Sequence, residues 1–410
     1  MKPKRKTVYI ERDGCNRRLL DLSKLETYLV DIGYNVVNDP QKSDLILLGT
    51  CAYKEKEEDK SVLRIKALKK INARLLIYGC LPDIAPAKFK EFSDLDFIAP
   101  KNIDKIDDFF KANDIHFKDI SSTNVIKFQQ GNSFFQRVFK NLFCKEIFTR
   151  EFYEKSPRKL INIFKYYSDH TTINYNLFIC RGCLGKCSYC AIKYAIGSVK
   201  SKPIDTVVKE LKKGLDAGFK NIIILGDDPG CYGVDLKITF PDLLRKLLEV
   251  MEKSDNKKAQ FNIDEIHPKW LIKYKDEFKE ILKSKKITGI LCPIQSGNDR
   301  VLDQMQREHT IGDLKEVIKT IQEINPGIKI STEIITGFPS ETEEEYRETL
   351  EFVKDIQFDY TLLFPYHEKE MTPSRALGNK VPEDIIQKRV KIGFKYLRKN
   401  KLRVYSSCPY

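Results

Sequence analysis

At 410 residues with 41% apolar content, the chain is long enough for two domains and has the composition of an ordinary globular protein. No apolar run reaches the length of a membrane span, and the start Met1-Lys-Pro-Lys-Arg-Lys-Thr7 lacks the hydrophobic stretch of a secretory signal, so a cytoplasmic protein is expected. Eleven cysteines in a reducing compartment point to metal or redox chemistry before disulfides. The formal charge of +14 suits a polyanionic partner such as nucleic acid, although a lysine-rich surface also serves solubility alone.

Over residues 1–101, short apolar runs alternate with helical periodicity. The runs are Thr7–Glu11, Asp44–Gly49 and Ala73–Tyr78, with helices near Leu20–Ile32 and Ser61–Ile71. This βαβ succession predicts an α/β domain built on a parallel sheet covered by helices. Ligands of such sheets sit beyond the carboxyl ends of the strands. Cys15, Cys51 and Cys80 each follow one of the predicted strands, so they can converge in space though far apart in sequence. Each alone reads as a core or surface cysteine; three together favour a metal site.

Residues 102–172 form a connecting region with aromatics interleaved among basic residues, as in Phe134–Lys140 and Phe148–Tyr153. Amphipathic packing helices explain them first, and stacking on nucleic-acid bases second. From Asn174 the cadence is strand then helix, repeated: a strand into Phe178–Cys190, a helix near Pro203–Ala217, a strand Asn221–Leu225, a helix near Pro241–Glu252, and further units at Gln260, Ile287, Ile328 and Asp359. A full or partial β/α barrel over residues 173–380 is expected, with its chemistry at the carboxyl ends of its strands. A basic helix near Pro382–Lys401 and a tail complete residues 381–410.

The loop Phe178–Cys190 offers Cys183, Cys187 and Cys190 as CxxxCxxC. Three thiolates on one loop can hold three irons of a [4Fe-4S] cube and leave the fourth iron open to a ligand. A zinc loop would want a second CxxC pair or histidines, and none lies near. A disulfide pair or buried free thiols would also account for these cysteines; Cys144 and Cys180, outside the spacing, read as small apolar residues.

Taken together, Gly14-Cys15-Asn16, Gly49-Thr50-Cys51, Tyr78-Gly79-Cys80 and Gly182-Cys183 to Cys190 resemble the methylthiotransferase family of radical S-adenosylmethionine (SAM) enzymes. The form GCLGxCxYC with Lys193 is similar to the archaeal and eukaryotic branch that modifies threonylcarbamoyladenosine in tRNA. The resemblance implies a six-stranded partial (β/α)6 barrel and two [4Fe-4S] clusters, one on Cys183, Cys187 and Cys190, the other on Cys15, Cys51 and Cys80. It implies SAM as cofactor, cleaved by one electron to a hydrogen-abstracting radical, and an electron donor such as a flavodoxin or ferredoxin.

Further motifs continue the resemblance. Tyr189 stands where such enzymes border the adenine of SAM; Asp227 or Asp228 in Leu225–Asp235 suits a ribose or ammonium group, or an ordinary turn. Gln295 and Ser296 in Cys292–Leu302 resemble a strand-end motif that orients the cofactor, with Asn298 or Ser296 also able to cap a helix. Ser331–Glu343 matches a strand-to-helix turn in which Ser331 and Glu333 border the barrel mouth and Ser340 with Glu343 forms a capping box. Ile196 stands where arginine is common, Tyr366–Ser374 departs from the family's proline-rich pattern, and the small RNA-gripping TRAM barrel is expected to be absent.

The expectation is therefore a methylthiotransferase acting at an unactivated C–H bond, with a tRNA adenosine beside the anticodon as substrate and a peptide or ribosomal side chain next. A non-catalytic iron-sulfur RNA-binding or sensing protein, and a radical SAM enzyme making other sulfur or thioether bonds on a peptide, are the rival readings.

Overall fold

The computed structural model describes residues 6–110, 114–127 and 174–406. Cys144 and the aromatic stretches Phe134–Lys140 and Phe148–Tyr153 lie outside these residues.

The first sheet contains β1 (Thr7–Glu11), β2 (Asn35–Val37), β3 (Leu45–Thr50), β4 (Arg74–Gly79) and β5 (Asp96–Ile98) in the order β2-β1-β3-β4-β5. All its pairings are parallel. Strand β3 is buried along its whole length because helices cover both faces, which is why it reads as a continuous apolar run instead of an alternation. Leu45 and Leu47 pack with Leu22, Leu25 and Leu29 of helix α1 (Asn16–Asp31). Ile46 and Leu48 face the other way, onto Ile65 and Leu68 of helix α2 (Glu55–Leu68). Each such side chain contributes roughly 1.5–3 kcal/mol by leaving water.

Both helices begin earlier than their apolar periodicity predicts. Helix α2 starts at Glu55, where Glu55, Glu57 and Glu58 complement the positive end of the helix dipole. Helix α1 starts at Asn16 with no acidic residue in its first turn and with Arg17 and Arg18 there instead. That local mismatch is offset by Asp21 one turn on and by Gly226, Asp227 and Glu265 of the second domain.

The second sheet follows as β6 (Tyr175–Arg181), β7 (Lys200–Ser201), β8 (Asn221–Gly226), β9 (Gln260–Ile263), β10 (Ile287–Leu291), β11 (Lys329–Thr336), β12 (Thr361–Pro365) and β13 (Val404–Ser406), ordered β13-β12-β11-β10-β9-β8-β6-β7. Six consecutive neighbours, β6 and β8 to β12, are parallel and form the expected partial barrel. The short β7 runs antiparallel on β6 and β13 parallel on β12, so the two ends of the curved sheet stay apart. Leu177, Ile222, Phe261 and Ile290 point outward beneath Leu211, Leu243, Leu247 and Leu314 of the covering helices.

Two details differ from the sequence expectations. The C-terminal helix Glu383–Lys399 packs into the barrel through Ile386, Val390 and Leu397, and the following Val404–Ser406 supplies β13, so this segment completes the sheet. The capping box after β11 belongs to Thr342 and Glu345, not to Ser340 and Glu343. Ser340 has φ of +66°, incompatible with the extended N-cap conformation, and its side chain instead donates to Gln304 Oε1 at 2.5 Å.

Candidate metal-cluster centre

The carboxyl ends of the two sheets meet. Cys15 is the N-cap of α1, Cys51 follows β3 directly, and Cys80 follows β4. Burial raises the pKa of both Cys51 and Cys80, and the neighbouring thiols add to it, Cys15 on Cys51 and Cys15 with Cys51 on Cys80. Cys51 is pushed up to about 12, and Cys80 is likewise raised.

Glycine permits this convergence. Gly79 has φ of +135°, and a Cβ there would meet the Thr50 carbonyl oxygen at 2.2 Å. Only a residue without a side chain lets β4 turn toward Cys80 so close to the end of β3.

Across the interface, β6 leads through Gly182 into the second triad. Gly182 has φ of +86° and lies against Ser198, whose carbonyl oxygen would be 2.1 Å from any Cβ. The Gly185 amide donates to Cys183 Sγ at 3.1 Å, and Arg307 Nη1 donates to Cys187 Sγ at 3.7 Å. Burial raises Cys183, reinforced by Asp228, and raises Cys190, reinforced by Cys187 and opposed by the amides of Lys193 and Ile192. Thiols pushed up by burial while surrounded by N–H donors are suited to a metal, whose charge removes the cost of the thiolate. Among the described residues, no three His, Cys, Asp or Glu side chains converge as the ligands of one metal ion do. A cube is held differently, since each cysteine takes its own iron corner.

The candidate cofactor residues lie as follows. Tyr189 packs against Val301, Met305 and Phe338 and accepts from Arg307 Nη1 at 3.2 Å. Asp227 is fully engaged: Oδ1 accepts from Arg18 Nη2 and Oδ2 from the Gly182 amide, each at 2.9 Å. Asp228 accepts from Trp270 Nε1 through Oδ2 at 2.8 Å, while its buried Oδ1 has no partner. Gln295 holds φ of +71° and likewise keeps a buried, unpaired Oε1. Positive φ at a non-glycine residue costs of order 1–3 kcal/mol, here supported by two β11 contacts, Gln295 N to Glu333 O and Ile335 N to Gln295 O.

Ser296 is spent on the fold, accepting from the Asn298 amide at 3.2 Å and lying 3.3 Å from Thr349 Oγ1, while Asn298 caps the next helix. Ser331 and Glu333 alternate with Ile330, Thr332 and Ile334; because Ile330 and Ile334 face the outer helices, the first two face the barrel interior.

Arg18, Arg307 and Trp270 escaped sequence reasoning. For Arg18 a signal existed, the cation-rich first turn of α1, which opposes the helix dipole and so implies a tertiary partner. For Arg307 and Trp270 none did, because their partners Cys187 and Asp228 are distant in sequence.

A buried ion network locks the two triads together. Arg181 grips Asp21 with two bonds at 2.5 and 3.0 Å, and the Tyr78 hydroxyl donates to Asp21 at 2.5 Å. Arg17 Nε donates to the Gly226 carbonyl at 2.6 Å and Nη2 pairs with Glu265 at 2.8 Å. Residues adjoining Cys15, Cys80 and Cys183 thus belong to one charged cluster.

Comparison with known proteins agrees with this architecture. The family model described as "Radical SAM superfamily" matches residues 177–353, and that described as "Uncharacterized protein family UPF0004" matches residues 7–99. A tRNA-2-methylthio-N(6)-dimethylallyladenosine synthase of Clostridium tetani is 31% identical over 94% of this chain and 79% of its own length. A threonylcarbamoyladenosine tRNA methylthiotransferase of Xenopus laevis is 27% identical over 92% of this chain; the chain spans only 62% of that relative. A probable threonylcarbamoyladenosine tRNA methylthiotransferase of Methanocaldococcus jannaschii is 26% identical over 90% of this chain and 78% of its own length. Among solved structures, the radical S-adenosylmethionine methyltransferase TsrM from Kitasatospora setae superposes with a TM-score of 0.61 at 16% identity, over 90% of this chain and 77% of that one. The cobalamin-dependent enzyme OxsB gives 0.56 at 13% identity, over 97% and 56%. Both show likeness of fold.

Proposed function

This chain belongs to the radical SAM methylthiotransferase family, and from that premise we propose that it inserts a methylthio group at an unactivated C–H bond of a tRNA adenosine beside the anticodon. Its cofactors are two [4Fe-4S] clusters and SAM. The observation that carries the reading is the pair of cysteine triads at the meeting carboxyl ends of two parallel sheets, bound to each other by the Asp21–Arg181 and Arg18–Asp227 ion pairs.

Cys183, Cys187 and Cys190 would hold the first cluster and Cys15, Cys51 and Cys80 the second. When bound, the first cluster with SAM supplies a hydrogen-abstracting radical and the second supplies sulfur. The protein's part is to bind, orient and exclude water. Asp228 Oδ1 and Gln295 Oε1 are buried acceptors with no protein donor, suited to the ammonium or ribose hydroxyls of SAM. An unpaired buried acceptor costs roughly 1–3 kcal/mol, a cost a donating cofactor removes. Tyr189, Ser331 and Glu333 line the approach, and Asp227 anchors the cluster loops. A cytoplasmic location with a flavodoxin or ferredoxin as electron donor completes the reading; among the described residues no helix is long and apolar enough to cross a membrane.

The favoured substrate is a threonylcarbamoyladenosine-type base, modified at C2. The 31% identity to a dimethylallyladenosine synthase supports a second substrate, the dimethylallyl base. Mass spectrometry of tRNA nucleosides from cells with and without the protein decides between them. A methylthio increment on threonylcarbamoyladenosine supports the first, the same increment on dimethylallyladenosine supports the second, and none on any tRNA base overturns the tRNA reading.

A further inference from the structure

Arg18 sits in the first turn of α1, three residues after Cys15, and is 3% exposed. Its Nη2 is held by Asp227 at 2.9 Å and its Nε lies 3.5 Å from Asp21. Its Nη1 is buried and has no hydrogen-bond partner. A guanidinium N–H in that state costs the protein stability, so a fold that keeps it has another use for it. Asp21 also accepts from the Tyr78 hydroxyl, two residues before Cys80, and the Arg18 Cβ lies 3.0 Å from where a Cβ on Gly14, beside Cys15, would stand. The carboxylate that orients it, Asp227, accepts its second bond from the Gly182 amide, next to Cys183.

We propose that Arg18, oriented by Asp227, donates through Nη1 to sulfur of the cluster held by Cys15, Cys51 and Cys80, and so sets the charge that cluster can carry. The inference rests on the assignment of a second cluster to that triad. The acceptor is a soft, anionic sulfur, either a bridging sulfide or a thiolate corner. Guanidinium suits it better than ammonium because it is planar, weakly hydrated and directional. Asp227 holds the opposite edge of the fork and sits between the two cluster loops, so the same carboxylate that braces Gly182 aims Arg18.

The test uses full-length, anaerobically loaded protein. Wild type is expected to hold about eight irons, one cube per triad. The second cube is then titrated potentiometrically by electron paramagnetic resonance in a Cys183→Ala, Cys187→Ala, Cys190→Ala background, with and without Arg18→Gln. Loss of a positive donor disfavours the reduced cube, so its reduction equilibrium is expected to fall about tenfold, a shift of about 59 mV for one electron. The first cube, titrated in a Cys15→Ala, Cys51→Ala, Cys80→Ala background, is expected to move by much less. If Arg18→Gln does not load, Arg18→Lys carries the test, with a smaller shift in the same direction.

An unchanged second potential, or equal shifts in both cubes, overturns the contact while leaving the proposed function standing. Wild type that loads only about four irons overturns both.

Discussion

Arg307 reaches Cys187 and Tyr189 with one nitrogen: Nη1 donates to the Cys187 sulfur at 3.7 Å and to the Tyr189 hydroxyl at 3.2 Å. Its Nη2 donates to the Pro293 carbonyl, which ties the loop before Gln295 to the cysteine loop. Arg307 and Arg18 are both buried, one bonded to Cys187 and the other three residues after Cys15.

Replacing Arg307 with methionine removes a charge-assisted bond worth roughly 1.5–3 kcal/mol while keeping most of the side chain's volume. Reductive formation of 5′-deoxyadenosine is expected to fall at least tenfold with iron content unchanged. Chromatography of the reaction under a chemical reductant measures it; an unchanged rate with full iron would show that the contact does not influence the first cluster.

The two cluster glycines should fail separately. Gly79→Ala forces a Cβ to 2.2 Å from the Thr50 carbonyl, and Gly182→Ala one to 2.1 Å from the Ser198 carbonyl, both at positive φ. Each is expected to lower stability by about 2 kcal/mol or more. Gly79→Ala should lose about four irons yet still cleave SAM, whereas Gly182→Ala should lose cleavage. Iron analysis with a SAM-cleavage assay checks the pair, and loss of SAM cleavage in Gly79→Ala would show that the turn at Gly79 does not serve the second triad alone.

Asp228→Asn keeps an acceptor for Trp270 and removes the negative charge beside the unpaired Oδ1. SAM affinity is expected to weaken about tenfold, the lower end of a charged hydrogen bond, while iron content holds. Equilibrium dialysis of loaded protein reads the change. Unaltered affinity would remove Asp228 from the cofactor site.

Glu345 accepts from the Thr342 amide at 2.8 Å and from Arg300 Nη2 at 2.6 Å, joining the helix after Asn298 to the helix after β11. The Arg300 bond, aided by the Thr342 amide and hydroxyl, holds its pKa at about 2, against 4.5 unfolded. The stability it adds is complete above pH 4.5 and is lost as pH falls toward 2. Because Arg300 is 46% exposed, screening limits this to about 1 kcal/mol. Glu345→Gln should cost that amount at pH 7 and flatten the stability curve between pH 4.5 and 2. Urea unfolding at several pH values checks it, and parallel curves for the two proteins would rule the pair out as the cause.

The cysteines of the proposed centre were legible from two local properties, ligand spacing on one loop and strand burial. CxxxCxxC keeps Cys183, Cys187 and Cys190 on one loop whatever the rest of the chain does, and the three apolar runs ending near Cys15, Cys51 and Cys80 follow from strand burial alone. The roles of the acids around them were not legible. Asp227 and Asp228 are adjacent and chemically identical in sequence, yet one braces Arg18 and Gly182 while the other bonds Trp270 and leaves an oxygen bare.

From its sequence alone, the protein was committed to two α/β units and two sets of cysteines, since hydrophobic periodicity and ligand spacing are local properties. How the two sets face each other was decided only in three dimensions. Asp21 meets Arg181 across 160 residues of chain and Arg18 meets Asp227 across 209. Buried charges tolerate only partners that neutralise them, and which cation finds which carboxylate depends on how the two sheets dock, a long-range arrangement that no local pattern encodes.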